Sequence, residues 1–301
     1  MTQQLNRIGF IGAGRLARVM ALALARAGHH VAAVCSRRTE SAQALADQLG
    51  SHGHTVAVMP EPAMLVRGCD TVFITVSDDQ IRAVADGLPW RADQVVLHCS
   101  GASELSVLCA AAQAGARPAG FHPLRTFGDV QAAWAGLAGC SVAIESAHEG
   151  VRHALFELAG DLQMRPFELP PGARALYHAS AHYAGALVVT LMDEAVRHWA
   201  RFGVGHDVAL AALLPLLKST VQAIEASGLG PGMAGVVARG DVGVLQQHLR
   251  ALAAAGPDEA ALYAQLSLRS VRAALQAQRI DASQAAAMTE LLERAQVPAP
   301  S

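Results

Sequence analysis

Near its start the chain reads Gly9-Phe10-Ile11-Gly12-Ala13-Gly14-Arg15-Leu16-Ala17. Residues 7–11 are apolar enough for a short buried strand. Residues 15–26 carry apolar side chains at helical spacing. A strand that enters a helix through Gly-x-Gly can fold in few ways. Gly12 makes the tight turn, Gly14 leaves the backbone open to close approach, and Ala17 lets the helix sit against the strand. The helix N-terminus then offers free N–H groups and the positive end of its dipole to an anion. One glycine motif alone is weak, but this one follows a strand and opens a helix, the context in which it holds a dinucleotide pyrophosphate.

The alternation that begins there continues. Gly28 stops the first helix and residues 31–35 read as the second strand, a βαβ unit with a right-handed crossover. Residues 39–49 are helical, and 55–59, 71–76 and 94–99 read as strands. Ser77 with Gln80 fits a capping box, which predicts a helix through Ile81 and Val84. Further helices are expected over 104–114 and 150–162, and strands over 117–121 and 140–144. After Leu169-Pro170-Pro171-Gly172 no strand pattern remains. Residues 174–202 have no proline and read as one long helix, apolar on most sides and so expected to be buried. Helices over 207–226, with a kink at Pro215, and over 242–255, 258–278 and 283–295 follow; residues 297–301 read as a loose tail. The expected fold is an α/β Rossmann domain, a doubly wound parallel sheet over residues 1–170, followed by an all-α domain over 171–301 for substrate binding and dimerisation.

Composition bounds the partners. Of 301 residues 52% are hydrophobic and only 16% charged, so apolar surface is expected to be shared between subunits, as a homodimer through the helical domain. A formal net charge of -2 gives no footprint for nucleic acid or an anionic membrane. Cys35, Cys69, Cys99, Cys109 and Cys140 show no C-x-x-C spacing and read as free thiols in a reducing compartment. The first seven residues lack a signal-peptide core, and no uninterrupted apolar stretch approaches about 20 residues, so a cytoplasmic protein without a membrane span is expected.

The second strand chooses the cofactor. A dehydrogenase that takes NAD places Asp or Glu at its end to bind the ribose hydroxyls; this chain has Ser36-Arg37-Arg38 instead. Guanidinium groups pair with the 2′-phosphate that a carboxylate would repel, which favours NADP over NAD. Ligands in such folds sit beyond the carboxyl ends of the strands. The expected cofactor site is therefore Gly12, Ala13, Gly14, Arg15 and Leu16, with Ser36, Arg37 and Arg38, then Val76 and Ser77, and finally Ser100 and Gly101. Helix capping is the structural alternative for the two serines.

The order of these motifs resembles the superfamily of β-hydroxyacid dehydrogenases, 6-phosphogluconate dehydrogenase and pyrroline-5-carboxylate reductase. More closely, the chain is similar to a family of bacterial NAD(P)-dependent oxidoreductases with a Rossmann-like N-terminal domain and a C-terminal helical domain of unknown function. The residues that carry the likeness span nearly the whole chain. They are the Gly12 fingerprint, His98-Cys99-Ser100-Gly101 and Gly120-Phe121-His122-Pro123-Leu124, then Leu176-Tyr177-His178-Ala179, Ala238-Arg239-Gly240-Asp241, and Tyr263 with Leu266. The resemblance implies NAD(P) chemistry and a helical dimerisation domain, and names no substrate. Two positions depart from it: Ala186 stands where relatives carry Asn two turns after the Tyr-His pair, and Val236 where they often carry Pro.

Hydride transfer to a carbonyl or imine needs a proton donor beside the developing anion. β-Hydroxyacid dehydrogenases use a Lys on the first long helix after the Rossmann domain, whereas the only lysine here is Lys218, one helix later. Histidine, with a pKa near neutrality, is the expected acid. His122 follows a late strand before Pro123, in a loop that can face the crevice, and His178 begins the helix after it. The two are the candidate catalytic residues, with substrate expected between the domains and the nicotinamide near Ser100-Gly101. His182 lies one turn beyond His178 and reads as a packed core or interface residue; a helical His-x-x-x-His pair can bind metal, but no third ligand is in view and no metal is expected. Arg125 and Arg174 could clamp a substrate carboxylate or simply be exposed. The alternative to an enzyme is a non-catalytic NADP-binding regulatory or scaffold protein, since the fold alone does not establish turnover.

Overall fold

The computed structural model describes residues 4–128 and 136–296. It divides into two compact units, Met1–Leu187 and Val188–Ser301. The expected tail at 297–301 lies outside the described residues.

The first unit holds an eight-stranded sheet in the order β3-β2-β1-β4-β5-β6-β7-β8. Its strands are β1 (Ile8–Ile11), β2 (Val31–Cys35), β3 (Ala57–Val58), β4 (Thr71–Ile74), β5 (Val95–His98), β6 (Arg117–Pro123), β7 (Ser141–Glu145) and β8 (Arg165–Glu168). All neighbouring pairs are parallel except β6 with β7. The strand order reverses beside β1, which places a crevice outside the carboxyl ends of β1 and β4. The central strands β1, β4 and β5 are buried along their whole length, as a sheet covered on both faces requires. Helices α1 (Arg15–Arg26), α2 (Thr39–Gly50), α3 (Pro62–Gly68), α4 (Ile81–Asp86), α5 (Cys109–Gln113) and α6 (Glu149–Asp161) flank it. One face buries Phe10 stacked on Phe73 with Phe121 edge-on; the other buries Leu65, Val96 and Leu108.

Helix α7 (Arg174–Ala184) closes the first unit. The single helix expected over 174–202 is two. Gly185, at φ −113° and ψ −91°, leaves helical geometry, and α8 (Ala186–Ala200) begins after it. Glycine is, after proline, the residue least able to hold a helix, and one is enough here. Nor are these helices buried within one chain: Leu176 is 80% and Val189 70% exposed. Other expectations also need correction. The helix expected over 104–114 is a 3₁₀ turn, Leu105–Leu108, followed by the short α5. The capping box at Ser77 does not form: a 3₁₀ turn, Asp78–Gln80, precedes α4, and the Ser77 hydroxyl is hydrogen-bonded to the Asp79 carboxylate, which lowers that group's pKa.

The second unit contains α8, α9 (His206–Ser227), α10 (Val242–Ala255), α11 (Pro257–Gln276) and α12 (Ala282–Gln296). Its core is Leu245, Leu249, Ala264, Val271, Ala274, Met288 and Leu292. Helix α9 continues through Pro215. It is long and apolar enough to cross a membrane by length and composition, although Lys218, Ser219, Thr220 and Gln222 interrupt its apolar run. The motif Ala238-Arg239-Gly240-Asp241 has a structural task. Gly240 takes φ +68°, a left-handed value suited to glycine, and Asp241 caps α10 by accepting from the Val244 N–H at 3.0 Å.

Candidate functional site

The fingerprint turn is built as its sequence requires. Gly12 has φ +109°, and a side chain there would meet the Thr75 carbonyl at 2.6 Å. The Gly12 N–H donates to Cys35 O at 2.8 Å, and the Thr75 hydroxyl donates to Gly12 O at 3.0 Å. The turn is thus tied to the ends of β2 and β4. Gly14 caps α1, and the space its side chain would fill is open. Ala17 is fully buried against the core.

A cleft of about 520 Å³ opens over this turn. Its lining includes Gly12, Ala13, Gly14, Ser36, Arg37, Arg38, Val76 and Ser77, eight of the twelve residues expected to hold the cofactor. Arg37 and Arg38 are exposed at its rim, where α2 also begins. Two guanidinium groups beside a helix N-terminus suit a phosphate at the far end of a dinucleotide. The open Gly14 backbone suits the pyrophosphate in its middle. The residues present therefore fit NADP. The other four expected residues sit elsewhere. The Arg15 guanidinium turns to Gly128 O at 3.3 Å, and Leu16 packs on the core.

Ser100 and Gly101 belong to a second cluster. Strand β6 is in register with β5 as far as Gly120 opposite His98, then runs three residues further. That extension carries His122 past the end of β5. A side chain on Gly101 would lie 2.9 Å from His122 Nε2 and 2.7 Å from His178 Cδ2. The two rings therefore converge on the small space that Gly101 leaves open, with centroids 6.4 Å apart. His122 Nδ1 is 2.7 Å from the Tyr177 hydroxyl, and the Tyr177 ring is packed edge-on against both His122 and Phe167. Burial, His178 and Arg174 together lower the pKa of His122 to about 4, so the ring is neutral at pH 7. Asp78, the residue after Ser77, opposes that shift.

Beneath these rings lies an ion pair that the sequence reading missed. Arg174 is fully buried; its Nε donates to Glu145 Oε2 at 2.6 Å and its Nη1 to Ser100 O at 2.8 Å. Its Nη2 occupies the place where a side chain on Gly120 would stand. In the sheet His98, Gly120 and Glu145 are side by side, so the guanidinium crosses a row of three strands at the position only glycine leaves free. Burial raises the pKa of the Glu145 carboxyl, and Arg174 acts against it. His98 is fully buried, accepts from the Ser100 N–H at Nδ1, and is held neutral with a pKa of about 3 by burial, Arg174 and His122. The Ser100 hydroxyl accepts from the Ala102 and Ser103 N–H groups. Arg174 is thus neither exposed nor turned to a substrate carboxylate. Arg125 donates to Gly136 O at 2.9 Å. His182, one turn from His178, is exposed on the single chain and so is not a core residue.

Residues 7–101 match the family described as NADP oxidoreductase, coenzyme F420-dependent, and residues 140–270 match a domain of unknown function, DUF2520. The chain thus pairs a match to an NADP oxidoreductase domain with a match to DUF2520. No curated protein matches it in sequence. Among solved structures it resembles a Bacteroides fragilis protein described as an NADP oxidoreductase, at 24% identity and a TM-score of 0.65 over 87% of this chain and 96% of that one. A reductive aminase from Aspergillus terreus, in complex with NADPH and ethyl-5-oxohexanoate, is 14% identical with a TM-score of 0.58 over 97% and 94%. A 1-pyrroline-5-carboxylate reductase from Streptococcus pyogenes is 14% identical with a TM-score of 0.57 over 96% and 97%. These likenesses establish the fold.

The oxidoreductase domain of this chain ends, by that match, at Gly101, and the DUF2520 match begins at Cys140. The buried pair bridges the two: Arg174 and Glu145 lie in the second, Ser100 in the first. The signal that could have exposed it was the glycine of Gly120-Phe121-His122, which sits inside a strand where glycine weakens the structure unless something needs its space.

Proposed function

We propose that this NADP-dependent oxidoreductase moves a hydride between NADP(H) and a small carbonyl, imine or hydroxy-acid substrate held beside Gly101, with His122 and His178 as the hydrogen-bond and proton donors. The observation that carries this reading is the convergence of both rings on the Gly101 space, at the end of the strand next to β4 and its cleft. In the proposed arrangement the pyrophosphate lies on Gly12–Gly14 and the 2′-phosphate on Ser36, Arg37 and Arg38. The nicotinamide, past Val76 and Ser77, reaches Ser100-Gly101. Bound NADPH supplies the hydride; the chain's own residues orient the acceptor and neutralise the charge that develops on it. A neutral histidine polarises a carbonyl by donating a hydrogen bond and need not begin as an imidazolium. The fold's likeness to a reductive aminase and a pyrroline-5-carboxylate reductase supports C=O and C=N acceptors as the first to try.

NADPH consumption over a panel of keto acids, ketones and cyclic imines tests this. The His122→Ala and His178→Ala variants should keep NADPH affinity, and at least one should lose turnover by about 10²–10⁴-fold. Full activity in both would remove the assignment. We further place the protein in the cytoplasm as a homodimer formed through its helical unit. The five free cysteines support a reducing compartment, and the exposed apolar residues of α8 and α9 support a shared interface.

A further inference from the structure

We infer that Tyr177 is a positioning residue for His122: it fixes that ring with its proton on Nε2, toward the Gly101 space, and supplies a proton at Nδ1 when Nε2 gives up its own. The inference rests on the function proposed above. Its ground is the hydrogen bond between the Tyr177 hydroxyl and His122 Nδ1 at 2.7 Å, among the shorter side-chain contacts of this unit.

One hydrogen bond between a phenol and an imidazole nitrogen can run either way. Two observations set its direction here. Among the described residues the Tyr177 hydroxyl has no other hydrogen-bond partner, so its proton goes to Nδ1 or to none of them. Burial also pushes the Tyr177 pKa up to about 12, so the phenol is protonated and has a proton to donate. Nδ1 then accepts, and neutral His122 carries its only proton on Nε2. That nitrogen is the one lying 2.9 Å from the position a side chain on Gly101 would take. The ring cannot easily turn away, since Tyr177 packs edge-on against it and is itself held by Phe167.

The proton balance closes. As the substrate carbon gains a hydride, its oxygen or nitrogen gains the proton from His122 Nε2. His122 Nδ1 takes the Tyr177 hydroxyl proton, which returns the ring to the neutral state. Tyr177 is left as a phenolate, which Arg174 stabilises, since its charge lowers the Tyr177 pKa against the effect of burial. A proton from water at Nε2, with the Nδ1 proton passing back to the phenolate, then restores both the starting tautomer and the phenol. No imidazolium or free imidazolate is needed at a buried site where either would be costly.

The experiment has two arms. In protein labelled with ¹⁵N-histidine, the long-range proton–nitrogen spectrum of the free wild type at pH 7 should show His122 with Nε2 protonated and Nδ1 bare. In Tyr177→Phe the ring should lose this single form and populate both tautomers. A wild-type ring protonated on Nδ1, or one unchanged by Tyr177→Phe, would overturn the inference. In the second arm, NADPH oxidation with ethyl-5-oxohexanoate and with a cyclic imine is measured. Tyr177→Phe should lower kcat by about 10²-fold, the low end for loss of a proton donor, with the KM for NADPH unchanged. In a His122→Ala background the same change should have no further effect, because groups acting as a unit are not additive. An equal loss in both backgrounds would mean that Tyr177 acts independently, and would overturn the relay alone. A wild type that binds NADPH and reduces no carbonyl or imine would overturn the proposed function, and the relay with it.

Discussion

The residues that build this site were unequally visible in the sequence. Gly12, Gly14 and Ala17 were legible because their spacing is local and each glycine does something a side chain would prevent. Arg37 and Arg38 were legible because a strand end is a known position in this fold. Glu145 was not legible, and Arg174 looked like any arginine near a loop. Their contact joins residues 29 apart in sequence, and full burial of an arginine cannot be read from its neighbours. His98 and His122 give the residue scale its prediction. Both have pKa values depressed far below the ordinary histidine value of 6.5, mainly by burial, to about 3 and about 4. Below that ordinary value an unfolded chain binds protons at both rings while the folded chain does not. Stability contributed by these neutral rings is therefore complete above about pH 6.5 and is lost as pH falls toward 4. Urea unfolding at a series of pH values should show stability decreasing over that window, with part of the slope removed in His122→Asn. A flat profile between pH 6.5 and 4 would mean the rings are not buried neutral.

At the scale of elements, the strands were recovered well where they are apolar throughout. The errors fell where a short polar or glycine signal decided the outcome. Strand β8 was missed because Arg165-Pro166-Phe167-Glu168 has neither a clear alternation nor an apolar run. The split between α7 and α8 turns on Gly185 alone, inside an otherwise continuous apolar pattern. The row His98–Gly120–Glu145 shows how elements combine: three strands and α7 meet through one guanidinium. Gly120→Ala should expel that guanidinium, since the new methyl group would occupy its place. Breaking a buried pair by removing one partner costs about 3–5 kcal/mol, and the variant should lose stability of that order in denaturant unfolding with an unchanged slope. A loss under about 1 kcal/mol would show that Arg174 can relocate without penalty.

At the scale of the molecule, the sequence placed an α/β unit before a helical one, and the comparisons agree in placing an oxidoreductase domain before DUF2520. What remained hidden was how little of α9 a single chain covers. Only 6% of its most apolar window is buried, and Val208, Leu216 and Val221 are exposed. The proposed homodimer would cover these apolar faces by association. Light scattering at micromolar concentration in detergent-free buffer should give a dimer, and Val208→Asp with Leu216→Asp should shift it toward monomer. A wild type that is monomeric, or that requires detergent to stay in solution, would contradict the homodimer. The central claim concerns where the cofactor ends. A crystal structure with NADPH bound is the most direct measurement of it. The 2′-phosphate should contact Arg37 or Arg38, the pyrophosphate should lie on Gly12–Gly14, and the nicotinamide should rest at Gly101 with its reactive face toward His122 and His178. A nicotinamide ring elsewhere, with both histidines beyond reach of anything bound to it, would contradict the account.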